Sequence, residues 1–227
     1  MQDVPFYVSL TFILTTILTL FLFIRATNPP KVIIFGLILW LALQCYLAYS
    51  GFYLEVSTQP FRFLLAAPPA LLLILGVFFY KRGRAWIKTL SLKTLTLLHI
   101  VRVPVEIVLY WFFVYKMLPE LMTFSGRNFD ILAGITAPII YYLVFWRKVL
   151  DKRGLLVWNI VCLCLLLSII FNAILSVPIP IQQFAFNQPN VAILHFPLVW
   201  LPTFVVPVVL FSHFVAIYRL SVQKILK

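Results

Sequence analysis

Three residues of different chemistry share one face of a single apolar run. In the segment "TLLHIVRVPVEIVLYW", His99, Arg102 and Glu106 stand at i, i+3 and i+7, a spacing that lines them along one side of an α-helix. Glu106 can exchange a proton as acid or base. Arg102 stays charged, so it can hold an anionic group or fork onto a carboxylate. The i, i+4 spacing of Arg102 and Glu106 also allows an ion pair within the helix. Charges midway along an apolar run need a partner, water or an inward face. The set is therefore expected to look into protein or water. A structural ion pair, a polar cavity for a ligand, and a proton or ion path all fit this spacing. In an enzyme, Glu106, Arg102 and His99 would be the catalytic groups, with Arg102 steadying negative charge.

A second polar layer belongs to other runs. Gln44, Asn172 and His195 lie toward the opposite ends from the basic clusters, with the loop "SGRNFD" carrying Arg127, Asn128 and Asp130. With Arg102 and Glu106, the trio Gln44, Asn172 and His195 forms the expected ligand-binding set. Asp130 opens the next helix and reads as its N-cap, while Asn128 beside Gly126 reads as a turn former. His195 and His213 are 18 residues apart. That is about 27 Å along a continuous helix, too far to share an ion. His99 and His213 fall at similar depth and are the one pair that could reach a haem iron or a metal. With no H-E-x-x-H and no histidine pair at i, i+4, neither a metal site nor a cofactor is expected. Cys45, Cys162 and Cys164 sit inside apolar runs and read as small fillers, not a disulfide framework. Trp40 and Trp200, deeper than the other aromatics, read as packing residues or as walls of an apolar pocket.

The elements that must position these groups are membrane helices. Of 227 residues, 63% are hydrophobic and 11% charged, too few charges to cover a soluble surface. Seven apolar segments span about residues 5–24, 32–51, 63–80, 89–118, 131–145, 155–175 and 191–218. About twenty helical residues cross a hydrocarbon core of about 30 Å. The fourth and seventh have length to spare and must tilt, kink or protrude. Pro68, Pro69, Pro104 and Pro138 interrupt three runs. Pro197, Pro202 and Pro207 predict a bent or opened seventh.

Charge sets the orientation. Arg25, Lys31, Lys81, Arg82, Arg84, Lys88, Lys93, Arg147, Lys148, Lys152, Arg153, Arg219, Lys224 and Lys227 all fall at one set of ends, 14 of the 18 basic residues. Arg62, Lys116 and Arg127 lie at the other, with Asp3, Glu55, Glu120 and Asp130. By the positive-inside rule the N-terminus is outside and the C-terminus cytoplasmic. The net charge of +12 then reads as topology and contact with anionic headgroups, not as a nucleic-acid surface. No retinal-type lysine, nucleophile elbow, Walker A loop or Rossmann fingerprint occurs.

The expected protein is thus an all-α polytopic bundle of seven transmembrane helices, one domain over residues 1–227, in the cytoplasmic membrane of a bacterium. It is expected to bind, and in one version transport, a small amphipathic or anionic ligand in an outward-opening cavity. The competing classes are a membrane-embedded enzyme acting on a lipid or lipid-linked substrate, a haem protein using His99 and His213, and a structural subunit bound to another membrane protein.

Overall fold

A computed structural model describes residues 4–55 and 61–222, which are helices and connecting turns with no strand among them. Asp3, Lys224 and Lys227 of the charge pattern lie outside the described residues. The helices are α1 (Phe6–Thr27), α2 (Lys31–Tyr49), α3 (Pro68–Phe79), α4 (Lys81–Thr89), α5 (Leu92–Leu98), α6 (Arg102–Val114), α7 (Ile131–Tyr141), α8 (Lys152–Ile174) and α9 (Val206–Val222).

Local chemistry sets the boundaries. Asn28 takes a left-handed conformation and closes α1 by donating its N–H to the Ile24 carbonyl. Pro29 and Pro30 follow, where a missing N–H costs nothing before a new helix. The Ser91 side chain caps α5 at Thr94, and Asp151 caps α8 at Gly154. Within α1 the hydroxyls of Thr15, Thr16 and Thr19 return to carbonyls four residues back, so these buried groups need no water.

By length and composition, six helical stretches are apolar enough to cross a membrane: Phe6–Thr27, Lys31–Tyr49, Arg62–Phe79, Leu92–Val114, Lys152–Ile174 and Leu201–Val222. This is the architecture of a polytopic membrane bundle. The stretch Ile131–Trp146 is apolar but shorter. Large apolar side chains such as Phe6, Leu14 and Phe21 on α1, Phe35 and Leu39 on α2, and Leu72 and Leu73 on α3 face outward. Such a girdle is stable only against another apolar phase.

Two runs are shorter as helices than their hydrophobicity suggested. The fourth is α5 and α6 joined by a 3-10 turn at His99–Val101, just ahead of Pro104. The seventh is a span only from Leu201; before it the chain is irregular, and Pro197 lies in that part. A π turn at Leu201–Val205 holds Pro202 and leads into α9, with Pro207 in its first turn. Pro207 cannot donate to the Thr203 carbonyl four residues back. The Trp40 indole N–H donates to that carbonyl at 3.0 Å. In return, the Trp200 indole donates to the Leu41 carbonyl at 2.9 Å. Two indoles therefore tie the middle of α2 to the proline-rich start of the last span.

The last span is the axis of the bundle: 72% of its most apolar window is buried, against 11% for Lys31–Tyr49. α8 packs along α9, α1 packs on α5 and α6, and α7 packs on α5, the His99–Val101 turn and α6. The contact of α7 with α6 is close. A Cβ on Gly134 would lie 2.8 Å from the backbone nitrogen of Val103 and 3.2 Å from the Arg102 Cβ. α2 is the peripheral element. Its C-terminal half is held by Leu41, Gln44 and Ala48, and Gln44 accepts a 2.5 Å bond from Tyr53. Burial pushes the Tyr53 phenol up to about 12, so it stays a donor.

Candidate functional site

The helix face that carries His99, Arg102 and Glu106 points into the bundle. Their exposures are 1%, 2% and 2%. The short 3-10 turn ends at Val101, and α6 begins at Arg102. The close approach of α7 at Gly134 brings Asp130, just before α7, against the arginine.

Every nitrogen of the Arg102 guanidinium is engaged. Its Nε donates to Asp130 Oδ2 at 2.6 Å, and Nη2 donates to Asp130 Oδ1, a forked pair. Nη2 also donates to the Cys162 carbonyl at 3.2 Å, and Nη1 meets His213 Nε2 at 3.1 Å. The ion pair within α6 is therefore not the one formed. The acid that meets the arginine comes from a different element: Asp130 stands at the start of α7, whose close approach at Gly134 carries it to the guanidinium fork. Asp130 makes no side-chain cap on α7, so the capping role expected of it is replaced by the ion pair.

The protonation pattern follows from the donors. A guanidinium only donates, so His213 Nε2 accepts. Its Nδ1 then carries the hydrogen and donates to Asn159 Oδ1 at 2.9 Å, and Asn159 Nδ2 donates to the Leu155 carbonyl at 2.9 Å. His213 is a neutral imidazole locked in one tautomer. The His99 ring stacks on it with centroids 4.0 Å apart and planes at 23°. The Trp158 ring meets His99 edge-on at 5.4 Å. His99 Nδ1 is buried without a hydrogen-bond partner.

Glu106 lies one turn beyond Arg102. Its two carboxyl oxygens are each 2.7 Å from a single donor, Asn128 Nδ2, which also reaches the Met122 carbonyl at 3.0 Å. Asn128 Oδ1 accepts from the Asp130 N–H at 2.9 Å, a local turn contact. Asn128 thus joins Glu106 and Asp130 to one loop.

The structure brings together His99, Arg102, Glu106, Asn128, Asp130 and His213. It adds Asn159 and Trp158, which the spacing of polar residues had not singled out. An asparagine within the apolar run of α8 is itself a signal of an inward polar partner. Gln44, Asn172 and His195 do not join this cluster: among the described residues no hydrogen bond or ion pair links them to Arg102 or Glu106. Gln44 is spent on Tyr53, while Asn172 and His195 are partly exposed. The haem arrangement does not fit this geometry. Both His213 nitrogens are already bonded, and face-stacked rings 4.0 Å apart leave no room for a porphyrin between them. Among the described residues no three His, Cys, Asp or Glu side chains gather as metal ligands.

Open space lies elsewhere. A cleft of about 710 Å³ separates the N-terminal half of α2 from α3, with α9 as its back wall. Ile33, Gly36, Trp40, Leu73, Pro207 and Phe211 are among its apolar walls, and Trp86 of α4 closes one end. A smaller cavity of about 350 Å³ lies on the other side of α3, against α8 and the last span. Neither is lined by Arg102 or Glu106.

The helix α4 at the end of the large cleft is amphipathic. Trp86 stacks on Phe211 with centroids 5.9 Å apart and Ile87 is buried, while Lys81, Arg82 and Lys88 are exposed. Lys31 adjoins Pro30 at the same rim.

Neither a curated protein nor a solved structure matches the chain. A family model does, over residues 60–221, which take in every member of the polar cluster but neither α1 nor α2. The match covers well over half of the chain, and the protein belongs to that family, the domain of unknown function DUF8737.

Proposed function

We propose that the protein is a multi-pass protein of the cytoplasmic membrane that binds an anionic amphipathic ligand drawn from the bilayer, its tail in the cleft between α2 and α3 and its acidic group at the basic rim. The observation that carries this reading is the cleft itself. Its volume of about 710 Å³ falls in the range of ligand pockets. Its walls are apolar, and it ends at an interfacial helix whose outer face carries Lys81, Arg82 and Lys88. In this reading the ligand's acidic group meets that rim instead of Arg102, which is buried with all three of its nitrogens engaged within the protein. The cleft then loads from the inner leaflet, not through an opening to the outside. Movement of the ligand across the membrane would need α2 to shift further, and its low burial favours that.

The same reading places the N-terminus outside and counts seven crossings. The stretch Ile131–Trp146 rises about 24 Å as a helix, enough for a thinned or locally hydrated crossing. Its support is charge: Arg127 precedes it and Arg147 and Lys148 follow it, and only a crossing there keeps the basic clusters on one side.

Gly36 supplies the test. Its Cα faces open space, with nothing within 4 Å of where a Cβ would stand, so a large side chain there fills the cleft without touching backbone. Native mass spectrometry of the full chain in mild detergent should show a retained anionic lipid, and Gly36→Phe should lose it while unfolding at the same temperature. Lys31→Glu combined with Lys88→Glu should weaken binding of anionic but not zwitterionic lipid. Wild-type protein that retains no lipid, or a Gly36→Phe variant that retains it fully, would reject the cleft as the site.

A further inference from the structure

The charges inside the bundle leave one carboxylate over. Among the described residues, Arg102 is the sole buried Lys or Arg, and the buried acids are Glu106 and Asp130. Asp130 takes the guanidinium fork through two nitrogens. Glu106 receives one neutral amide, shared between both of its oxygens and a backbone carbonyl. An ionised carboxylate offers about four acceptor sites and is held inside protein only when charge and donors fill them. A buried acid without that compensation takes up a proton instead.

Among the described residues no second buried cation is at hand. His213 accepts from Arg102 and so is neutral. A charged His99 would stand against His213 and Arg102 with no acceptor for its Nδ1–H, since that nitrogen has no hydrogen-bond partner. Among the described residues, the uncharged groups that hydrogen-bond to His213, Arg102 and Glu106 from other elements are Asn159 and the Cys162 carbonyl of α8 and Asn128 of the loop before α7. α1 adds no buried charge: its buried polar residues are Thr15, Thr16, Thr19 and Thr27, whose hydroxyls bond back to their own helix.

We propose that Glu106 is a proton-binding site within the membrane, a neutral carboxylic acid at neutral pH beside an Arg102–Asp130 pair that stays ionised. The bound species is one proton, taken from water onto a carboxyl oxygen to form an O–H bond, with no other bond made or broken. It is returned to water when Glu106 gains solvent or a cation. Asn128, which bridges Glu106 to Asp130, is the residue whose movement would couple that exchange to the ion pair. The proposal is independent of the cleft and stands or falls without it.

Infrared spectroscopy of the full chain, purified at neutral pH, reads the proton directly through the carbonyl stretch of an un-ionised carboxyl group. The chain has only six acidic residues, which makes the band assignable. The wild type should show one such band that moves on exchange into heavy water and is absent in Glu106→Gln. That variant is isosteric with the protonated acid and should unfold within a few degrees of wild type. Should Glu106→Gln fail to fold, carbon-13 labelling of the wild type decides instead: glutamate label shifts the band and aspartate label does not. No band in the wild type, a band that survives in folded Glu106→Gln, or a shift with aspartate label would each overturn the assignment.

Discussion

Arg102 carries the most consequences of any single side chain. Four of its hydrogen bonds tie α6 to Asp130, to the Cys162 carbonyl on α8 and to His213 on α9. Removing one member of such a buried pair strands the other charge, which costs about 3–5 kcal/mol. Asp130→Asn should therefore lower stability by about that much, read from unfolding of detergent-solubilised protein. Replacing both partners by apolar residues of similar volume, as in Arg102→Met with Asp130→Leu, should cost less than Asp130→Asn alone. A double variant that is worse than the sum of the two singles would mean that the pair does more than balance charge. The sequence made Arg102 and Glu106 conspicuous, because charges inside apolar runs are rare for a physical reason. It did not disclose their partners. Helix periodicity says which residues share a face, and it is silent about which neighbouring element comes to that face. Asp130 and Asn128 had satisfactory local roles as cap and turn former, and those roles concealed the longer-range ones.

Among the elements, α7 and α2 stand at opposite extremes of packing. α7 sits so close to α6 that Gly134 has no room for a methyl group: its Cβ would lie 2.8 Å from both the backbone nitrogen and a methyl carbon of Val103. Gly134→Ala should force the helices apart, loosen the Arg102–Asp130 fork and cost about 1–3 kcal/mol. Gly36→Ala on α2 should do the opposite, gaining up to about 1 kcal/mol of helix propensity, because nothing lies within 4 Å of the new carbon. Equal effects of the two substitutions would contradict this account of the packing. Both glycines sit in apolar runs and look alike in sequence; only the distance to the neighbouring backbone separates them. The prolines follow the same logic. Their number in the seventh run signalled an irregular helix, yet the use of the freed Thr203 carbonyl depended on the Trp40 indole of α2 arriving beside it.

At the scale of the whole molecule the governing quantities are hydrophobic length and the sign of the flanking charge. The proposed orientation makes a direct prediction. With Cys45, Cys162 and Cys164 replaced, a cysteine at Ser125 should react with an impermeant thiol reagent in intact cells, while one at Ala85 should react only after the membrane is opened. The reverse pattern would invert the topology, and reaction at both positions from outside would show that residues 85 and 125 share a side.

The sequence by itself determined that the chain is helical, rich in membrane-length apolar stretches, and asymmetric in charge. Those properties belong to composition and to runs of about twenty residues, and no tertiary contact is needed to produce them. It also determined that His99, Arg102 and Glu106 share a face, since a 3.6-residue period fixes directions along one helix. Tertiary structure alone decided that Arg102 would meet Asp130, that His99 and His213 would stack with the His213 nitrogens otherwise engaged, and that the large cavity would open between α2 and α3, away from the charges. The physical reason is range. A helix propagates order through bonds four residues apart, whereas partner choice in a bundle depends on which helices can approach closely enough. That is set by a missing Cβ at Gly134 and by two indoles reaching two carbonyls, details that carry no periodic signature in the chain.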